Sequence, residues 1–235
     1  MKTQITTIAA AIAFAISTGA SAQFFTGGSD SSIYQSGDNN TNSVTQWGTQ
    51  TSRIHQEGSN NAGTVTQDEI SGVATTQPGR NKSGIEQFGY NNAATVSQLD
   101  KYNDSYVLQS GSGNMATVDQ TGTKNVSVVE QNGSSNDADI TQNGSYNDSY
   151  SYVSGNNNAD TVNQDGSNLD STILTYGGYN VSNVDQSGFG HDSYIKTSGS
   201  YNQQNVTQSG AFWGSHTSSI VTYGNGNINT VSQAN

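Results

Sequence analysis

The chain has no cysteine, one proline (Pro78) and, after its first residues, nothing approaching a bilayer-spanning apolar run. Without cysteine there are no disulfide staples and no thiolate metal sites, so an exported chain of this size must cohere by other means. Basic residues are scarce, with 7 Lys and Arg against 18 Asp and Glu. That balance argues against nucleic acid and anionic lipid as partners, because both favour clustered positive charge. Only 30% of residues are hydrophobic, too few for an ordinary globular core. Composition alone therefore predicts disorder.

The N-terminus has a different character. Lys2, the apolar run from Ile8 to Ile16 and the small residues Ala20-Ser21-Ala22 read as a secretory signal over residues 1–22, cleaved before Gln23. The apolar run is too short to cross a bilayer, and no integral membrane segment is expected. Residues 23–30 read as a short flexible leader, and 31–235 as one repetitive domain.

A repeat overturns the prediction of disorder. A glutamine-class position recurs at 35, 46, 56, 67, 77, 87, 98, 109, 120, 131, 142, 153, 164, 175, 186, 197, 208, 222 and 233. Most of these nineteen units span eleven residues. The four that lack glutamine, Val153, Thr175, Thr197 and Thr222, are consecutive even-numbered units. The structural period is therefore two units.

Within a unit the pattern is Gln-x-Gly-x-x-Asn-x-(Ala/Ser)-x-(Val/Ile)-x-Gln, as in Gln109, Gly111, Asn114, Ala116, Val118 and Gln120. From Asn to the closing Gln the marked residues fall at every second position, the period of a strand with one buried face. Thr117 and Asp119 occupy the alternate, solvent-facing positions. The Gly-x-x segment supplies the reversal, since glycine accepts positive φ without steric cost. Arc glycines are expected at Gly37, Gly89, Gly111, Gly122, Gly133, Gly144, Gly166, Gly177, Gly188 and Gly210.

The predicted fold is all-β: a two-sheet β-solenoid of stacked strand-arc-strand repeats with cross-β, amyloid-like geometry. Odd units line one wall and even units the other, and coils stack at ~4.8 Å. Each inward amide can then donate to its counterpart one coil away, which satisfies a polar group that would otherwise be costly to bury. The expected inward ladder comprises Gln35, Gln46, Gln56, Gln67, Gln87, Asn92, Gln98, Gln109, Asn114, Gln120, Gln131, Asn136, Gln142, Gln164, Gln186, Gln208 and Gln233. Registry follows, because a slip of one residue turns the whole inward set outward.

The pattern frays in two places. Units ending at Gln56, Gln77 and Gln87 are one residue short, and Asp68-Glu69 and Pro78 fall in an expected arc. Between Gln208 and Thr222 the unit grows by three residues, which places Phe212 and Trp213 in a lengthened loop. Both ends lack a divergent capping unit, so the terminal strands are expected to template further copies head to tail.

The run Asn103, Gln109, Gly111, Asn114, Ala116 and Gln120, repeated along almost the whole mature chain, resembles the repeat of curlin, the subunit of curli fibres. The resemblance implies an extracellular functional amyloid of Gram-negative bacteria that serves in biofilm matrix and adhesion. It also implies two partners besides the protein itself: an outer-membrane export channel and a minor nucleator subunit. The chain departs from the best-known members in having more two-strand repeats and a shorter leader. Within the family the alternative role is the nucleator. Outside it, a secreted solenoid adhesin that never polymerises remains open.

Other chemistries find less support. His55, His191 and His216 are far apart in sequence without a fixed carboxylate partner, so neither an enzyme nor a cofactor is expected. His191 and His216 stand at the asparagine position and read as substituted arc residues. Asp104, Asp137, Asp148 and Asp192 are scattered and lack the glycine-rich calcium nonapeptide, so they read as a solvated, self-repelling surface. The outward column Ser32, Arg53, Ala74, Thr95, Thr117, Asp139, Thr161, Asn183, Asn205, Thr230 is not the regular threonine array of an ice-binding face. Trp47, Phe88, Tyr176 and Tyr223 all follow even units and are expected to stack along one edge.

Overall fold

The computed structural model describes residues 20–24, 29–68, 80–210 and 214–235. Among them the chain forms nineteen strands and no helix. The first ten are β1 (Ala20–Phe24), β2 (Asp30–Ser36), β3 (Thr41–Gln46), β4 (Thr51–Ser59), β5 (Ala62–Asp68), β6 (Lys82–Tyr90), β7 (Ala93–Lys101), β8 (Asp104–Ser112), β9 (Met115–Thr123) and β10 (Val126–Ser134). The rest are β11 (Asp137–Ser145), β12 (Asp148–Asn156), β13 (Ala159–Ser167), β14 (Asp170–Gly178), β15 (Val181–Phe189), β16 (Asp192–Ser200), β17 (Gln203–Gly210), β18 (Thr217–Tyr223) and β19 (Ile228–Ala234). Odd-numbered strands stack in order as a ten-stranded wall and even-numbered strands as a nine-stranded wall. All pairings are parallel, and like residues lie over like: Gln109 pairs with Gln131, Gly133 with Gly155. The protein is a two-sheet β-solenoid of about nine turns.

Parallel in-register stacking follows from the two-unit period, because strand n must meet strand n+2 if identical side chains are to superpose. The centre of the core is one aliphatic column in each wall. Val65, Val96, Val118, Ile140, Val162 and Val184 form one column, and Ile54, Ile85, Val107, Val129, Ile173 and Ile195 face them, all 0–1% exposed.

The strands extend beyond the glutamine. β9 starts one residue after Asn114, runs through Gln120 and Gly122 and stops at Thr123. The turn is correspondingly short, and its backbone bonds continue the ladder, with Ser135 N–H donating to Ser112 O at 2.9 Å and Asp137 N–H to Asn158 O at 2.8 Å. Glycine is required by contact as well as by φ. Gly144 sits at φ 119°, and a Cβ there would run into the carbonyl oxygen of Gly166 one coil on. Every expected arc glycine except Gly210 has positive φ. Gly210 instead closes β17, where a Cβ would meet the Asn235 side chain.

The two-wall alternation holds, but the assignment of units to walls changes near residue 70. Gln56 bonds directly to Gln87, and Gln67 to Gln98, each across 31 residues where 22 is usual. No rung lies between these pairs, so counting Gln77 as a wall unit puts the early units on the wrong side. Gln35 and Gln56 belong to the wall of Gln87 and Gln109. For the same reason Ser32 and Arg53 do not share a column with Thr95, and Trp47 lies in the opposite wall from Phe88, Tyr176 and Tyr223. Glu69, Ala74, Gln77, Pro78, Phe212 and Trp213 lie outside the described residues, as does the stretch from Lys2 to Ile16. β1 crosses the expected cleavage point: Ala20–Ala22 precede it, while Gln23 and Phe24 come from the expected leader, and Asp30 opens β2.

Candidate functional site

The motif glutamines of the ten-stranded wall, from Gln46 to Gln233, form one continuous ladder. Gln46 Nε2 donates to Gln67 Oε1 at 2.8 Å, Gln67 to Gln98 at 2.7 Å, Gln98 to Gln120 at 2.8 Å and Gln120 to Gln142 at 2.7 Å. The series continues to Gln164 at 2.9 Å, Gln186 at 3.0 Å, Gln208 at 2.8 Å and Gln233 at 2.8 Å. The bonds run one way, so the ladder has polarity: each amide donates toward the C-terminal end and accepts from the N-terminal side.

The second amide hydrogen crosses the core. Gln120 Nε2 donates to Asp104 O at 3.1 Å and Gln186 Nε2 to Asp170 O at 2.9 Å, so each glutamine also ties its wall to the opposite backbone. An amide has two donors and one acceptor oxygen, and both donors are used. This cross-tie explains why glutamine, with its longer reach, takes the position rather than asparagine.

Asparagine holds the corners. Asn114 Oδ1 accepts from both N–H and Nδ2 of Asn136 at 3.1 Å, while Asn114 Nδ2 reaches Gly133 O at 3.0 Å. Asn92 and Asn136 make the same contacts with their neighbours, as do Asn158, Asn180 and Asn202. The opposite corner holds Asn81, Asn103, Asn125 and Asn147, each buried and each reaching a carbonyl one strand on, Asp100 O for Asn81 and a glycine for the others. These corner residues stand at the same motif position as Asn92, Asn114 and Asn136, so the repeat already marks them.

The curlin-associated repeat model matches residues 101–122, 114–144 and 133–166, the stretch that contains these ladders. The chain carries curlin-associated repeats. No curated protein and no solved structure matches it. Both the curlin repeat and the two-walled solenoid are structural in character.

The nine-stranded wall carries a shorter glutamine ladder. Gln35 donates to Gln56 at 3.1 Å, Gln56 to Gln87 at 2.6 Å, Gln87 to Gln109 at 2.8 Å and Gln109 to Gln131 at 2.9 Å. It stops at Val153. From there Thr175, Thr197 and Thr222 replace glutamine, and the other wall compensates. Gly63, Ala94, Ala116 and Ala138 leave room beside the glutamines, whereas Asp160, Ser182, Gln204 and Asn229 fill the space beside Val153 and the threonines. Core volume is conserved by exchange between walls.

Asp160 marks the crossover. It is fully buried, and its carboxyl accepts from Ser151 Oγ at 2.9 Å and Thr175 Oγ1 at 2.9 Å. Burial pushes its pKa up to about 7, and the hydroxyl contacts pull it only partly back. The repeat gives no sign of this residue's role, because Asp160 simply replaces the usual small residue.

The outer surface is ordered too. Asp148, Asp170 and Asp192 are not scattered but stand on successive rungs of one column, and Asp170 is raised by partial burial and by both neighbours. Tyr176 packs on Tyr152 at 5.5 Å and Phe88 on His55 at 5.4 Å, so these rings contact adjacent columns rather than each other. His191 and His216 stack at 5.0 Å in the second asparagine corner, where His191 Nδ1 accepts from His216 N–H at 3.1 Å. Burial holds the His191 pKa below its usual value. His55 faces outward and pairs with Glu57 at 3.0 Å. Among the described residues no three His, Cys, Asp or Glu side chains are grouped to hold a metal.

The ends differ from the middle. β2 and β19 have inward residues that are only half-buried, including Ile33 and Val231, whereas every inward residue of β8 is buried.

Proposed function

We propose that this chain is the structural subunit of an extracellular, curli-like amyloid fibre that self-assembles at the bacterial surface and contributes to biofilm matrix and adhesion. The observation that carries this reading is the half-covered core at β2 and β19, terminal strands of the two walls that face opposite ways along the stack. Burying those apolar positions and pairing the outer backbone groups favours addition of a second copy. Work of this kind needs no active site, so the protein is read as a non-enzyme without a cofactor. Its further partners by family are a nucleator subunit and an outer-membrane channel, reached after cleavage of residues 1–22.

Electron microscopy of the purified exported chain over time, with and without preformed seeds, tests the proposal. The expected result is fibres whose growth is shortened by seeding and whose diffraction shows spacings near ~4.8 and ~10 Å. A chain that stays monomeric for days at high concentration overturns it.

A further inference from the structure

The glutamine ladder of the ten-stranded wall begins with a defect. Gln46 Oε1 is buried and accepts no hydrogen bond, whereas each later glutamine of the ladder accepts from the one before. Asn42 Oδ1, on the same strand, is also buried without a partner. The strand beside them is β1, which pairs Ala20 with Asn42, Ala22 with Val44 and Phe24 with Gln46. Alanine and phenylalanine have no amide to donate. A buried acceptor without a donor is costly, so β1 protects the edge of β3 imperfectly.

The other end of the same wall offers what β1 lacks. If β19 of one copy took the place of β1, the two-unit register would set Gln233 on Gln46, Val231 on Val44 and Asn229 on Asn42. Gln233 donates one amide hydrogen to Thr217 O at 3.1 Å, and its other hydrogen lies on the ladder axis, where each preceding glutamine donates forward. In the nine-stranded wall the same step sets Ile220 on Ile33 and Ser218 on Ser31.

We propose that β1 is a provisional cover over the β3 edge and that β19 of a second copy is its lasting occupant, with Gln233 donating to Gln46 across the joint. Cleavage after Ala22 removes three of the five β1 residues and thereby weakens the cover once the chain is exported. The proposal rests on the self-assembly reading above and adds which strand is displaced and in what register the copies meet.

The chain has no cysteine, so introduced thiols report only on each other. Paired Cα atoms in adjacent strands lie ~4.8 Å apart, within disulfide reach. Ser232→Cys with Thr45→Cys tests the proposed joint. Ser232→Cys with Gln23→Cys tests the alternative in which β1 remains as a rung, since Gln23 pairs with Thr45. Thr230→Cys with Ser43→Cys repeats the first test should that variant fold poorly. After assembly and mild oxidation of the exported chain, the expected result is a ladder of linked multimers for the Thr45 and Ser43 pairs and none for the Gln23 pair. Linking through Gln23 instead, or fibres in which neither pair links, overturns the joint while leaving self-assembly intact. If the cysteine-free parent forms no fibres, the self-assembly reading itself fails, and the joint with it.

Discussion

Asp160 and Thr175 join the two walls through a 2.9 Å hydrogen bond between a fully buried carboxyl and a hydroxyl, at the point where the nine-stranded wall gives up its glutamines. The groups around Asp160 include Ser151, Thr175 and Ser182 from both walls, and none of these titrates. Among the described residues no cation acts on this carboxyl.

Stability should therefore depend on pH through this residue. Its folded pKa of about 7 lies above the ordinary value of 3.8, so the folded state holds the proton more tightly than the unfolded state. The stabilisation is complete below about pH 3.8 and is lost as pH rises through about 7. The denaturation midpoint of the exported chain should decrease as pH rises from about 3.8 to about 7. Asp160→Asn should flatten that part of the profile, and an unchanged slope in the variant would assign the effect to other groups.

Ladder and surface positions should separate in growth assays. Gln208→Ala leaves Gln186 without an acceptor and Gln233 without a donor, and it also removes the bond to Asp192 O. Losses of about 1–3 kcal/mol per unsatisfied group should slow fibre elongation strongly. Gln233→Ala should act likewise, while Thr207→Ala and Ser232→Ala should have little effect. Seeded elongation followed by light scattering measures the difference, and equal rates would show that the interior amides do not control growth.

Two glycines in the same backbone region should differ in tolerance. Gly144→Ala forces a methyl into the Gly166 carbonyl at φ 119° and should abolish the native stack or cost well over ~3 kcal/mol. Gly226→Ala meets no atom within 4 Å at φ 70°, so only backbone strain of about 1 kcal/mol is expected. Circular dichroism of the two variants under denaturant distinguishes a stacking constraint from a simple conformational one.

A column of serines makes the opposite prediction. Ser105, Ser127, Ser149 and Ser171 are buried in the nine-stranded wall, and their hydroxyls have no hydrogen-bond partner. Alanine already fills the equivalent place in the other wall, as at Ala116 and Ala138. Ser127→Ala should leave stability unchanged or raise it by about 1 kcal/mol. A clear loss measured by chemical denaturation would mean that the hydroxyl has a partner after all.

How far the sequence reaches can be judged at Gln109 and Asp160. For Gln109 the alternation of polar and marked residues is enough to place it on the same face as Val107, because a strand turns each successive side chain over. Gly111 is similarly legible, since a glycine recurs two residues after most of the glutamines. Asp160 follows Ala94, Ala116 and Ala138 in its column, and no local feature reveals that a threonine from the facing wall would answer it. The wall assignment of Gln35 and Gln56 was equally hidden, because a ten-residue spacing before Gln77 looks like one more rung in the sequence.

The sequence by itself determined the two-unit period, the inward and outward faces and the recurrence of amides and glycines, all consequences of local backbone geometry repeated at short range. Only the tertiary structure decided which units become neighbours, and with that the wall of Gln35, the amide hydrogens spent across the core and the unpartnered oxygen of Gln46. Those facts depend on contacts between strands 16 to 31 residues apart, and no local preference encodes them.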